Sequence, residues 1–459
     1  MSIHKSLAPP LPQAGSWPLL GALPALLRRP FEFFEEARRR HGDIYALRVG
    51  PLRPVVLNHP RHVQHVLRDH AANYRKGGML WDNARKLVGN GLIVSEGEFW
   101  LRQRRMMQPQ FHRERLARLT DLMVNAIDAS LDNWAPDAAD GRPVNLVPAL
   151  AHMTMRIATD TLFGTALPRE SRAEVGEAMA YVMNYLMVGA ATYGLPSWVP
   201  IPGKRRNLRE IARLERVVDD IIATTRRDQG QHLLAMLLDV VDDQTGEGMN
   251  DRQLHDEVMN MFLAGYETTS TALGWALHFL MGQPEVTQKL QDEVDSALGG
   301  RTPVFADFPR LSYTRMVVQE VLRLRPPGAW VPRVAIADDE IDGFPIPAGT
   351  EVISLIYMIH RHPDFWPEPD RFDPERFAGD HAARGSSGRH SFAWIPFGVG
   401  QRLCIGRDFA MMESTLALAM IVQRYRIAAV KGRITTPGLS STLRLKGGLW
   451  AHLAARDRA

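Results

Sequence analysis

One residue constrains this chain more than any other. Cys404 is the only cysteine in 459 residues, and it stands in the glycine-rich segment WIPFGVGQRLCIGRD at 394–408. A lone thiol excludes an intramolecular disulfide and every zinc or iron–sulfur site built from several cysteines. A hydrophobic core therefore has to hold the fold, and a chain of this length can bury one around a ligand. Hydrophobic residues at 45% and charged residues at 23% describe an ordinary soluble globular protein.

The thiolate is the form of cysteine that ligates or attacks, and the free thiol has a pKa near ~8.5. The residues after Cys404, GRDFAMMESTLALAMIVQRY, carry the apolar spacing of an amphipathic helix. That places the cysteine at a helix N-terminus, where unpaired N–H groups carry roughly half a positive charge. Gly398, Gly400 and Gly406 permit positive φ and close backbone approach. Backbone N–H groups can then turn toward the sulfur and favour its charged form. Phe397 can cover one side of it. Three readings stand open. Most free cysteines are small, inert core residues. A nucleophilic cysteine needs a histidine base, and the chain has 16 histidines. A haem thiolate needs a dry, rigid sulfur beside a large apolar pocket.

The segment F-G-x-G-x-R-x-C-x-G, Phe397 to Gly406, resembles the haem-ligand signature of the cytochrome P-450 family and matches it at every specified position. Further segments stand in the family's order. MNMFLAGYETTSTALGWALHFLMG at 259–282 belongs to a long helix expected to begin at Asn250, with Gln253 three residues on as in a capping box. Gly265 costs a helix interior about 1 kcal/mol relative to Ala. Glu267 and Thr268 are costly in an apolar stretch if buried unsatisfied. Threonines bonded back to the carbonyl one turn earlier account for the hydroxyls but not for Glu267. AGYETT looks like the family's distal-helix motif. The resemblance implies a local distortion of the helix at that point. It also implies an acid–Thr pair, Glu267 and Thr268, that delivers protons during oxygen activation.

EVLRLRPP at 320–327 places Glu320 and Arg323 on one helix face. Taken alone, this reads as an exposed ion pair worth a few tenths of a kcal/mol. Followed by LRPP, it is similar to the family's structural helix motif, with Arg376 in FDPERF as the expected third member. In EFWLRQRRMMQPQF at 98–111, Trp100 and Arg104 lie one helical turn apart. The resemblance directs both to a haem propionate, together with Arg333 and Arg402. Arginine suits that task because its planar fork binds carboxylates bidentately.

The resemblance implies a mainly α fold with a minor β part. It implies one large haem domain over 31–459 behind a proline-rich segment, 1–30, with haem b between a long distal helix and the proximal cysteine loop. The implied activity is monooxygenation of a lipophilic substrate (terpenoid, steroid, polyketide or fatty acid) with O2. A thiolate ligand favours O–O cleavage. No Gly-rich dinucleotide fingerprint suggests a built-in reductase. Electrons are therefore expected from a ferredoxin or flavodoxin-type donor docking near Arg402, Arg407 and the basic residues of 101–115. Pocket candidates by analogy are the 78–94 loop with Trp81, the 180–200 segment with Met183, Met187 and Tyr193, and Met261, Ala264, Gly265, Ala329 and Trp330. A net charge of +4 on this length does not argue for nucleic acid. SWPLLGALPALLRRP is too short and too proline-broken to span a bilayer. With no signal peptide visible either, the expected location is cytoplasmic.

The texture along the chain supports this organisation. FEFFEEARRRHGD reads as a helix ended by Gly42, and 44–57 as a β-hairpin around a Gly-Pro turn. Apolar residues recur at helical spacing in 101–134, 148–163, 173–190, 205–240 and 250–281. RVAIADDEIDGFPIPAGTEVISL alternates like short strands. A haem-thiolate enzyme that uses peroxide or only isomerises its substrate is a rival that Glu267 and Thr268 argue against; a haem-binding sensor without turnover has no use for a proton-delivery pair; and a cysteine hydrolase would purify colourless, without capacity for haem.

Overall fold

In a computed structural model describing residues 10–15, 17–164, 169–193, 198–228, 232–379 and 389–456, the chain is mainly helical with small sheets. Its contacts separate into two compact units. One holds the chain up to Asp82 with Gly328–Arg371 and Gly379–Cys404. The other holds Asn83–Pro327, Phe372–Ala378 and Ile405–Ala459.

The first unit is built on a six-stranded sheet. Its spatial order is Gln13–Ala14, Ile44–Leu47, Val55–Leu57, Glu351–Ser354, Val331–Ala335 and Tyr74–Arg75. The hairpin expected at 44–57 is its centre: Ile44 pairs Leu57 and Ala46 pairs Val55, antiparallel. Every residue of these two strands is buried, so the run is apolar on both faces rather than alternating. Helix Pro30–His41 starts on a proline, whose missing N–H costs nothing there, and ends at Gly42 with φ 83°. It buries Phe31, Phe34 and Ala37, three residues apart on one face.

The second unit carries most of the helices. The run expected over 101–134 is two helices, Gly97–Met107 and Arg113–Asp132. Pro109 sits in the 3-10 turn between them, because a proline cannot donate to an α-helical ladder. The 78–94 segment, expected as a loop, is helical over Gly78–Val88. The 205–240 pattern appears as Lys204–Asp228 and Leu233–Leu238. Residues 1–9 of the proline-rich segment and 194–197 of the 180–200 segment lie outside the described residues.

Helix Asp251–Met281 is 31 residues long and buried along nearly its whole length. The Oδ1 of Asn250 accepts from Gln253 N at 2.9 Å, which makes one half of the expected capping box. The helix runs without interruption through Gly265. A Cβ on Gly265 would meet only ordinary contacts, with Leu162 at 3.6 Å and Ala158 at 3.7 Å.

The ion pair of helix Ser312–Leu324 is the reverse of an exposed one. Both side chains are fully buried, and Arg323 Nε and Nη2 each donate to Glu320 at 2.7 Å. Glu320 Oε1 also accepts from Asp373 N at 2.9 Å and lies 3.5 Å from Arg376 Nε. The carboxylate thus gathers the 372–378 segment onto the helix. Removing one partner of such a pair leaves the other charge buried without compensation. Arg323→Leu is expected to destabilise the protein by about 3–5 kcal/mol, read as a lowered urea midpoint; an unchanged midpoint would refute the weight given to this pair.

Candidate functional site

The cysteine loop is a chain of tight turns. Gly398 N donates to Ile395 O at 3.0 Å, Leu403 N to Gly400 O at 3.1 Å, and Cys404 N to Phe397 O at 2.9 Å. Gly398 and Gly400 hold φ of 71° and 68°. At Gly400 the need for glycine is double, since a Cβ would also stand 2.3 Å from the Leu67 carbonyl oxygen. The loop is therefore clamped onto the turn at 65–69, and it carries Cys404 with its side chain exposed. This is not the inert core cysteine of the commonest reading. Cys404 comes three residues before Arg407, the first residue of helix Arg407–Arg424, whose N-cap is Gly406.

On the long helix, Ala264 is exposed and Gly265 and Thr268 are half-buried, while Phe262, Leu263, Tyr266 and Glu267 around them are buried. An open stripe of small side chains thus interrupts a buried helix at the expected motif. Thr268 Oγ1 donates to Ala264 O at 2.7 Å. Its hydrogen is engaged, and its lone pairs are left to accept. Glu267 faces elsewhere, because consecutive helical residues are turned about 100° apart. Its Oε1 accepts from Thr442 Oγ1 at 2.7 Å and Arg444 Nε at 2.6 Å. Its Oε2 is buried without a hydrogen-bond partner among the described residues. Arg444 in turn donates to Asn184, whose side chain reaches the surface. The acid and the threonine are neighbours in sequence but engage different surroundings. Thr442, Arg444 and Asn184 carried no signal in the sequence, standing some 80 to 180 residues from Glu267.

Thr269, one residue further, donates to Glu413 Oε2 at 3.1 Å. Complete burial pushes the Glu413 carboxyl up to about 8, with the Thr269 bond opposing. Sequence reading missed this pair, because Glu413 looks like one more polar residue of an amphipathic helix. Burial likewise pushes Glu257 up to about 8, although Leu92 N donates to it at 3.1 Å.

The four residues assigned to propionates fall two to each unit. Trp100 is buried on helix Gly97–Met107, with Arg104 half-buried one turn on and its Nε bonded to Gln108 Oε1 at 2.9 Å. Arg333 is buried on strand Val331–Ala335, where Nη1 donates to Pro332 O at 2.8 Å, and Arg402 is half-buried in the cysteine loop. Guanidinium groups held in or near the core suit a ligand that brings its own carboxylates. An exposed thiol on a rigid loop and an apolar open stripe suit an iron porphyrin. The donor set fits haem.

The pocket candidates sort by burial. Ala264 is exposed and Gly265 and Trp330 are half-buried, whereas Met261, Met183 and Ala329 are buried. Trp81 Nε1 donates to Pro332 O at 2.9 Å. Three of the basic residues proposed for partner docking are already committed. Arg105 Nε and Nη2 bind Asp242 at 2.6 and 2.7 Å, and Arg102 lies 3.6 Å from the same carboxylate. Arg105 pulls the Asp242 carboxyl down to about 2. Arg407 pairs with Asp408 next to it.

A family model described as cytochrome P-450 matches residues 9–444. Cyclooctat-9-en-7-ol 5-monooxygenase of Streptomyces melanosporofaciens is 38% identical, over 91% of this chain and 89% of that protein. Pentalenene oxygenase of Streptomyces avermitilis is 33% identical over 99% of each. The crystal structure of the cytochrome P450DA heme domain superposes with a TM-score of 0.89 at 26% identity, covering 98% of this chain and 99% of that one.

Two expectations follow from these geometries. Gly400→Ala meets both the left-handed φ and the Leu67 carbonyl, and should destabilise the protein by about 1–3 kcal/mol with accelerated loss of haem. Wild-type haem retention would show that the loop does not need this approach. For Glu413, the ordinary carboxyl value of 4.5 is raised to about 8 in the folded state. Between those values the folded state holds a proton that the unfolded chain has released, so stability falls as pH rises through the window. Glu413→Gln should lessen the drop in urea midpoint between about pH 5 and about pH 8; an undiminished drop would assign it to other groups.

Proposed function

The chain belongs to the cytochrome P-450 family and is a haem-iron monooxygenase; on that premise we propose that it oxygenates a cyclic terpenoid, and that Cys404 would ligate the iron of haem b. The similarity to the cyclooctat-9-en-7-ol and pentalenene enzymes along almost the whole chain carries the substrate class. The haem type rests on the cysteine count. Thioether attachment uses a C-x-x-C-H segment, and one cysteine already engaged as ligand leaves none for it.

Bound haem supplies the oxygen activation and the C–H or C=C chemistry. The chain's own residues hold, orient and protonate. The turns around Gly398 and Gly400 keep the Cys404 sulfur at one position, since its loop has no freedom to relax against the Leu67 carbonyl. Trp100, Arg104, Arg333 and Arg402 would hold the haem propionates. The open stripe at Ala264 and Gly265 lets an apolar substrate lie against the helix. Thr268, with its hydrogen spent on Ala264 O, presents lone pairs and orients a water whose protons then face the reacting site. Glu267 resupplies protons, and Arg444 with Asn184 marks the side from which they come. The bonds to Thr442 and Arg444 have to loosen for the carboxylate to take part. Glu320, Arg323 and Arg376 serve the scaffold. A separate ferredoxin or flavodoxin-type protein delivers electrons near Arg402 and Arg407. Among the described residues no helix is long and apolar enough to cross a membrane.

The carbon monoxide difference spectrum of the reduced protein tests the ligand. A strongly red-shifted Soret band is expected, and its survival in Cys404→His would overturn the assignment. Thr268→Ala is expected to consume reductant at a comparable rate while releasing peroxide in place of product; unchanged coupling would give proton delivery to another group. Cyclic terpenoids are expected to shift the spin state at lower concentration than long-chain fatty acids, and the opposite ranking would remove the substrate class.

A further inference from the structure

The first unit concentrates histidines. HPRHVQHVLRDH places His59, His62, His65 and His70 within twelve residues, a run to which the oxygenation chemistry assigns no part. Two clusters there bring two imidazoles and a carboxylate within 4.8 Å of one another: Asp43, His59 and His362, and His65, His70 and Asp339.

Hydrogen bonding separates the two. In the first cluster, Arg61 N donates to His59 Nδ1 at 3.0 Å and Asp364 N donates to His362 Nδ1 at 3.3 Å. Both rings therefore carry their proton on Nε2, and His362 directs it to Asp43 at 3.2 Å. Metal ligation through those nitrogens would break both backbone bonds. In the second cluster no backbone amide donates to a ring nitrogen of His65 or His70 among the described residues. His65 Nε2 lies 2.9 Å from Asp339 Oδ2, and His70 Nδ1 lies 3.7 Å from Asp339 Oδ1.

The backbone has been shaped to create this pair. Residues His65–Asp69 form a single π-helical turn, closed by His70 N to His65 O at 2.8 Å. Such turns are rare and are found most often at functional sites. The wider turn brings residues five apart into line, and the two imidazoles lie stacked with centroids 3.9 Å apart. Asp339 is oriented from behind by Tyr74, whose buried hydroxyl donates to Oδ2 at 2.7 Å, and by Glu340 N at 2.8 Å on Oδ1. A carboxylate held by an outer hydrogen bond is the arrangement that supports metal ligands.

We propose that His65, His70 and Asp339 form a binding site for a divalent transition-metal cation of the zinc type, distinct from the haem site. Imidazole with carboxylate suits such ions, and bonds of about 2.0–2.1 Å need only a modest inward swing of the ligands. His70 is half exposed and free to make that swing, and solvent can supply the fourth ligand. The cation takes the place of the hydrogen between His65 Nε2 and Asp339, and the neutral imidazole ligand carries its proton on Nδ1. The site also bears on the cysteine loop. The Leu67 carbonyl against which Gly400 is seated belongs to the same π turn, so a cation joining that turn to Asp339 stiffens the floor beneath the loop.

Zinc chloride titrated calorimetrically into the untagged, haem-loaded full chain tests this. One saturable equivalent per chain is expected. His70→Ala and Asp339→Asn should each weaken binding at least tenfold, Tyr74→Phe should weaken it about tenfold through the lost outer bond, and His59→Ala should leave it unchanged. His65→Asn provides a second ligand variant should Asp339→Asn fold poorly. Absence of saturable binding would overturn the proposal. So would several weak equivalents indifferent to His70→Ala, or loss of the site in His59→Ala alone.

Discussion

A long helix buried along most of its length can tolerate buried polar residues only where other segments come to meet them. Asp251–Met281 is such a helix, and much of the second unit is organised by that requirement. Asp256, Glu257 and Asn260 accept the backbone N–H groups of Asn90, Leu92 and Ile93, tying an otherwise irregular stretch to the helix. Glu267 draws in Thr442 and Arg444, and Thr269 finds Glu413. Each buried carboxylate or amide therefore fixes the position of a segment distant in sequence. The helix could not be buried without these partners, and the partners would have no defined place without the helix.

The cysteine loop shows the complementary device, in which shape rather than hydrogen bonding sets position. At Gly400 no side chain fits between loop and π turn, and positive φ is needed as well. The loop is consequently fixed against the turn that precedes it, and it carries Cys404. Thr268 sits on an open stripe of small residues on a helix otherwise packed.

Much of this was readable beforehand. The Phe397–Gly406 pattern, the acid–Thr pair and the E-x-x-R helix are local, and their chemistry depends on near neighbours in sequence. Periodicity gave the helices, with Pro109 as the break it failed to honour. The Glu320–Arg323 pair, which E-x-x-R spacing taken alone reads as exposed, is fully buried, in keeping with the structural role expected once LRPP follows it. Spacing can say that two charges share a helix face, but not which way that face is turned.

The sequence by itself pointed to the family, the candidate cysteine ligand, the helix that carries Thr268 and the candidate propionate arginines, because motifs report groups that act at fixed short separations. Only the tertiary structure decided what those groups are bonded to. It turned Glu267 toward Arg444, committed Arg105 to Asp242, raised the Glu413 carboxyl by burying it, and aligned His65 with His70 through a π turn. The reason is physical. A hydrogen bond or a burial cost depends on the distance to atoms hundreds of residues away in the chain, and that distance is a property of the fold.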